Sequence, residues 1–166
     1  MASISIRNGS NYKAKDKVKI VVFTEGTVLG PKSFIYHFSH SSYVPIGDSV
    51  ERLKAWEQQG AEILYITSRK KEKQVEKIKE LLLKYDFPGE YLYYRKSGKK
   101  YKDIVEEVIP DVLIEDDCRS IGGSWQMCIT YVKSWIKAKI KSIVVKEFKG
   151  IGDLPHLLSE LIKWRN

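Results

Sequence analysis

The sequence predicts a three-layer α/β domain built on a central parallel sheet of about five strands. Apolar runs rich in β-branched or aromatic residues recur at 18–23 (VKIVVF), 61–67 (AEILYIT), 91–94 (YLYY), 111–115 (DVLIE) and 142–148 (SIVVKEF). Stretches of helical period separate them. Strands alternating with helices of about ten to fifteen residues form βαβ units, and hence a parallel sheet.

The elements follow in order. Residues 1–17 are polar without an apolar leader segment and read as an N-terminal tail, leaving 18–166 as a single domain. The run at 18–23 is continuously apolar, as a strand buried on both faces must be. Gly26 and Gly30-Pro31 end it. Residues 34–47 are aromatic and irregular, with Pro45 and Gly47 as breakers. Asp48 is placed to cap a helix over 49–59 with Val50, Leu53 and Trp56 inward and Gly60 as its stop. A second helix over 71–85 turns Val75, Ile78, Leu81 and Leu82 to one side, and Pro88-Gly89 forms a turn. A third helix spans 101–109 and stops at Pro110. Residues 118–123 form a loop. Residues 127–140 read as a helix, with a strand over 128–132 as the other option. A last helix follows Pro155 and ends near Trp164.

Composition narrows the function classes. A 43% hydrophobic content with four Trp, in 166 residues, suffices for one packed core. No run of eighteen apolar residues exists, so no membrane helix is expected. Cys118 and Cys128 have no companion ligands and suit free thiols in a reduced, cytoplasmic compartment. His37 and His40 lack a third ligand nearby, and His156 sits at a helix start, so none signals a metal site. The 29 basic against 21 acidic residues give +8 and a pI near 9.3. That balance favours anionic partners: a small phosphorylated ligand first, nucleic acid second. Its plainer account is a solvated Lys/Glu surface, because lysines alternate with glutamates along helical faces. No concentrated basic stripe or known nucleic-acid motif stands out.

In parallel sheets, ligands bind beyond the carboxyl ends of the strands. Strand one ends Phe23-Thr24-Glu25-Gly26-Thr27, strand two ends Thr67-Ser68-Arg69, and strand four ends Glu115-Asp116-Asp117. Lys96, Lys99, Lys100 and Lys102 precede the helix leading into strand four. Hydroxyls and ammonium groups bind phosphate oxygens, and adjacent carboxylates bind Mg²⁺.

This order resembles the haloacid dehalogenase-like (HAD) superfamily of phosphatases and phosphotransferases, over roughly residues 19–117. The resemblance implies a Rossmann-like domain and a hydrolase site. In that family strand one ends Asp-x-Asp-Gly-Thr, the first Asp being the nucleophile and the second the general acid/base. Glu25-Gly26-Thr27 overlays the second Asp and its Gly-Thr. Thr67, with Ser68 beside it, matches the second motif, Lys100 or Lys102 the third, and Asp116-Asp117 the Mg²⁺-holding fourth. The resemblance therefore implies Glu25 as the catalytic group, Thr27, Thr67, Ser68, Lys100 and Lys102 as phosphate ligands, and Asp116 and Asp117 as metal ligands. The nucleophile position falls on Phe23. Sliding the match by one places Thr24 there but loses the Gly-Thr pairing. Neither offers a carboxylate, so aspartyl-phosphate chemistry is not expected.

Three outcomes stay open: phosphate binding without turnover, Glu25 acting as general base on water, or a non-catalytic module with relic residues. Each residue also has a plainer reading. Glu25 can tie backbone N–H groups in its own loop, Thr67-Ser68 can cap a helix, and Asp116-Asp117 can be a solvated turn. The interval from Thr27 to Ser49 is too short for a helical cap. An aromatic flap over 34–43 remains, an open arrangement that in capless family members admits macromolecular substrates.

Overall fold

The computed structural model describes residues 2–6, 17–32, 43–96 and 98–164. Its strands are β1 (Ser3–Ser5), β2 (Val18–Phe23), β3 (Leu29–Pro31), β4 (Tyr43–Pro45), β5 (Ala61–Ile66), β6 (Tyr91–Tyr93), β7 (Val112–Asp116) and β8 (Lys141–Val145). Six of them form one sheet in the order β1-β6-β5-β2-β7-β8, while β3 and β4 pair separately as an antiparallel ribbon. β2 lies at the centre, parallel to β5 and β7, and β6 and β8 extend the parallel set.

The period-2 alternation of β2 makes the three layers. Ile20 and Val22 point to one face, where they join Leu53 and Trp56 of α1 (Ser49–Gln58) and Val75, Ile78 and Leu82 of α2 (Glu72–Lys84). Val21 and Phe23 point to the other, meeting Ile104 and Val105 of α3 (Tyr101–Val108) with Ile129, Val132 and Ile136. Residues that alternate along a strand thus serve two separate cores. The expected boundaries of α1, α2 and α3 hold to within a residue or two. Asp48 precedes α1 as expected, but its carboxylate pairs with Arg52 at 2.7 Å instead of capping the helix.

Several expectations change. Residues 127–140 form neither a long helix nor a strand. A 3₁₀ turn (Cys128–Tyr131) and a four-residue α4 (Ser134–Lys137) are joined by extended backbone at Val132 and Lys133. The cause is local. Thr130, Tyr131 and Val132 are poor helix formers, and Glu115 accepts the backbone N–H groups of Cys128 and Ile129 at 2.6 and 2.9 Å, fixing where the turn begins. The last helix is only α5 (Leu158–Leu161). Residues 2–6, expected as tail, include β1, which pairs antiparallel with β6, and Ile6 is buried. Their Ser-Ile-Ser-Ile alternation is a strand signal in itself. The histidines at 37 and 40 and most of the 34–43 flap lie outside the described residues. Both cysteines are free thiols, and among the described residues no helix is long and apolar enough to cross a membrane.

Candidate functional site

The carboxyl ends of β2, β5, β7 and β8 open on one cavity of about 630 Å³. β2 delivers Phe23, whose buried ring meets Tyr101 of α3 edge-on at 5.4 Å. The chain then turns sharply, with the Thr24 carbonyl accepting the N–H groups of Val28 and Leu29.

Glu25 is held from every side. Its Oε2 accepts the Thr24 hydroxyl at 2.5 Å and the Ser68 N–H at 3.0 Å; its Oε1 accepts the Thr67 hydroxyl at 2.7 Å and Arg69 Nε at 2.8 Å. Burial alone would push its pKa up. The Thr24 hydroxyl, the Arg69 guanidinium, the Thr67 hydroxyl and the Ser68 N–H together outweigh it and hold the carboxyl below its usual 4.5. The ion pair therefore stitches the loop after β2 to the loop after β5. A carboxylate so engaged is a weak proton acceptor.

Asp116, Asp117 and Glu147 form an acidic cluster with ligand atoms within 4.8 Å of one another. Asp116 ends β7 and is buried. Its Oδ1 accepts the Thr27 hydroxyl at 3.3 Å and its Oδ2 the Cys118 N–H at 3.0 Å. Burial raises its pKa, and the Glu147 charge raises it further against those hydrogen bonds. Asp117 Oδ1 accepts the Glu147 N–H at 3.1 Å, and Glu147 accepts the Ser120 hydroxyl and N–H at 2.6 and 2.8 Å. A carboxylate has about four acceptor positions, so each keeps capacity for a cation. An all-oxygen donor set fits Mg²⁺ or Ca²⁺ rather than a soft metal.

Gly26 makes this packing possible. Its φ is +82°, and a Cβ there would stand 2.9 Å from Asp116 Cγ and Oδ1. Gly26→Ala is expected to cost about 1–3 kcal/mol through backbone strain and displacement of Asp116. A shift of the urea midpoint at unchanged m-value measures it.

Cationic groups line the same cavity: Arg69, Arg95, Lys100 and Lys102. Arg95 stacks its guanidinium 3.9 Å from the Tyr101 ring centroid, and its buried Nε has no hydrogen-bond partner among the described residues. Lys102 is drawn to Asp103 at 3.0 Å and Glu106 at 3.7 Å, whereas Lys100 is exposed at the start of α3. Among the expected phosphate ligands, Ser68, Lys100 and Lys102 reach the cavity wall. Thr27 and Thr67 sit behind it, their hydroxyls given to Asp116 and Glu25.

No family model matches the sequence, and no curated protein matches it either. Solved structures do match. A chain of the Pnkp1/Rnl/Hen1 RNA repair complex is 15% identical with a TM-score of 0.55, covering 85% of this chain and 47% of that one. This chain thus spans about half the length of that neighbour. A class C acid phosphatase from Bacillus anthracis, solved with tungstate bound, is 18% identical with a TM-score of 0.52, covering 83% of this chain and 70% of that one. What this chain shares with them is a three-layer α/β fold on a mostly parallel sheet. At these identities the likeness concerns the fold.

On this sheet, sequence reasoning missed three contributors. Glu147 was hidden because 142–148 reads as one strand, whereas β8 stops at Val145 and frees Glu147 beyond it. Arg95 follows a strand too short to mark its end. Glu115 lies on the buried wall, its pKa pushed up to about 7 by burial against the N–H groups of Ile129 and Cys128, with Asp116 adding to the rise. It looked like one more strand residue.

Proposed function

We propose that the strand-end cavity binds a phosphorylated ligand together with a divalent cation, without forming an aspartyl phosphate. The observation that supports this is the composition of one cavity wall. The carboxylates of Asp116 and Glu147 share it with Arg69, Lys100 and an Arg95 Nε that has no hydrogen-bond partner among the described residues, and an apolar ring, Phe23, stands where the family places its nucleophile.

In this reading Asp116, Asp117 and Glu147 hold the cation, which when bound would neutralise and orient phosphate oxygens. Lys100 and Arg95 supply direct charge-assisted hydrogen bonds to the ligand. Ser68 stands at the wall with its backbone N–H committed to Glu25. Glu25 is a positioning residue that keeps Ser68 and Arg69 in place. Phe23 has no lone pair, so its side chain cannot take up a phosphoryl group.

The test is calorimetric titration with Mg²⁺ and then with inorganic phosphate. Phosphate is expected to bind more tightly with Mg²⁺ present. Asp116→Asn is expected to weaken Mg²⁺ by at least about tenfold, the scale on which even outer partners of a metal count. Phosphate binding indifferent to Mg²⁺ and to Asp116→Asn would overturn the cation part. A stable phosphoenzyme formed from a phosphate monoester would overturn the non-covalent part.

A further inference from the structure

Residues 118–146 contain no Asp or Glu and six cationic side chains: Arg119, Lys133, Lys137, Lys139, Lys141 and Lys146. The same segment carries Trp125, Tyr131 and Trp135, which are 74%, 52% and 59% exposed. These rings are not surplus core residues. The segment's packing set (Cys128, Ile129, Val132, Ile136 and Ile140) is already buried beneath them. Nor do they hang on a loose loop. Glu115 pins the Cys128 and Ile129 N–H groups, Ser120 bonds Glu147, the Thr130 hydroxyl bonds the Ser124 carbonyl at 2.6 Å, and the Tyr131 hydroxyl bonds the Trp125 carbonyl at 2.7 Å.

Trp125 and Tyr131 line the strand-end cavity together with Arg95 and Lys100. Four residues beyond Tyr131, Trp135 has Lys139 Nζ 5.5 Å from its ring. The carboxylates of α3 draw only Lys133 of these six, because Asp103 pairs with Lys102, Glu106 with Lys102 and Lys133, and Glu107 with Lys99. Trp125 and Tyr131 at the strand-end cavity, and Trp135 with Lys133 in a second groove beside α3, offer exposed rings and cations of the kind that unstacked bases and a phosphate backbone use. A duplex hides its base faces, and an acidic peptide has no use for a row of rings. The cavity is also far roomier than a phosphate ion.

We propose that this surface binds single-stranded nucleic acid, with bases stacking on Trp125, Tyr131 and Trp135 and lysines following the backbone. A terminal phosphate then enters the cavity, a clause that rests on the function proposed above; the platform itself does not. The test is fluorescence anisotropy with a labelled, unphosphorylated oligothymidylate of about twelve nucleotides, a length that spans one such site. Trp125→Ala and Trp135→Ala are each expected to weaken binding by about 5- to 100-fold, the scale of one stacked base. Lys137→Gln with Lys139→Gln is expected to flatten the log–log salt slope by about 1.4, or 0.7 per phosphate contact. Circular dichroism checks that each variant folds, and exposed positions should pass. Affinity unchanged in both Trp variants, or equal competition by duplex, by polyglutamate or by anionic lipid vesicles, would overturn the proposal. The two readings separate on the unaltered chain. Phosphate titration without oligonucleotide reports on the cavity, and oligonucleotide anisotropy without Mg²⁺ reports on the platform. Absence of oligonucleotide binding sinks the platform whatever the cavity does, and its presence supports the platform even if phosphate fails to bind.

Discussion

Replacing Glu25 by Gln is expected to lower the unfolding free energy by about 2–4 kcal/mol, because it strips one partner from a buried ion pair and leaves Arg69 uncompensated. The amide cannot reproduce the arrangement. One end of it must present N–H groups to a site where hydroxyls, a backbone N–H and a guanidinium already donate. Arg69→Leu should cost a similar amount from the other side, and the double variant should cost less than the sum. The pH dependence has a definite sign. The folded pKa of Glu25 lies below 4.5. Its contribution is therefore fully present above 4.5 and disappears as pH falls through the depressed folded value. The stability gap between the unaltered chain and Glu25→Gln should be widest near neutrality and should close in acid. Urea unfolding across that range measures it, and a gap that widens on acidification would contradict the assignment.

Glu115→Ala is expected to be comparably severe, at about 2–5 kcal/mol, by a different route. Glu115 is 2% exposed and is the acceptor for two backbone N–H groups that begin the turn at Cys128. Truncation orphans both donors away from water, each at about 1–3 kcal/mol. The damage should be local at first, because the affected stretch carries Ile129, Val132 and Ile136 into the core beside α3. Amide hydrogen exchange should accelerate at Cys128 and Ile129 well before the central strands. Glu115→Gln, which keeps one carbonyl acceptor, should retain about half the loss. Exchange unchanged at those two amides would show that the loop stands without this anchor. Trp125 and Tyr131 ride on the same loop, so Glu115→Ala should also disturb the mouth of the cavity.

Legibility followed the physics of each element. β2, β5 and β7 are continuous apolar runs whose burial leaves no other use for them, and α1 and α2 repeat their apolar residues at helical spacing. These were readable residue by residue. The stretch 127–140 was not. Its apolar spacing at Cys128, Ile129, Val132, Ile136 and Ile140 satisfies a helix, yet the same residues reach the core from a 3₁₀ turn, extended backbone and one helical turn. Periodicity reports which residues go inward, and the backbone path there depended on Glu115, which comes from the preceding strand β7, 13 residues before Cys128. The aromatic platform escaped notice for the same reason, since exposure of Trp125 and Trp135 is known only after the inward set is placed.

Where the family resemblance sets the nucleophile position the chain has Phe23; the sequence by itself determined the parallel α/β sheet and the placing of acidic, hydroxyl and basic residues at its strand ends. Those follow from local patterning and chain order. The tertiary structure alone decided that Glu25 is locked to Arg69, that Thr27 and Thr67 serve carboxylates from behind the wall, and that Glu147 joins Asp116 and Asp117. Each of these depends on hydrogen bonds and charges meeting across strands some 30 to 90 residues apart in sequence. No local propensity encodes such meetings, because they are settled by the register of the packed sheet.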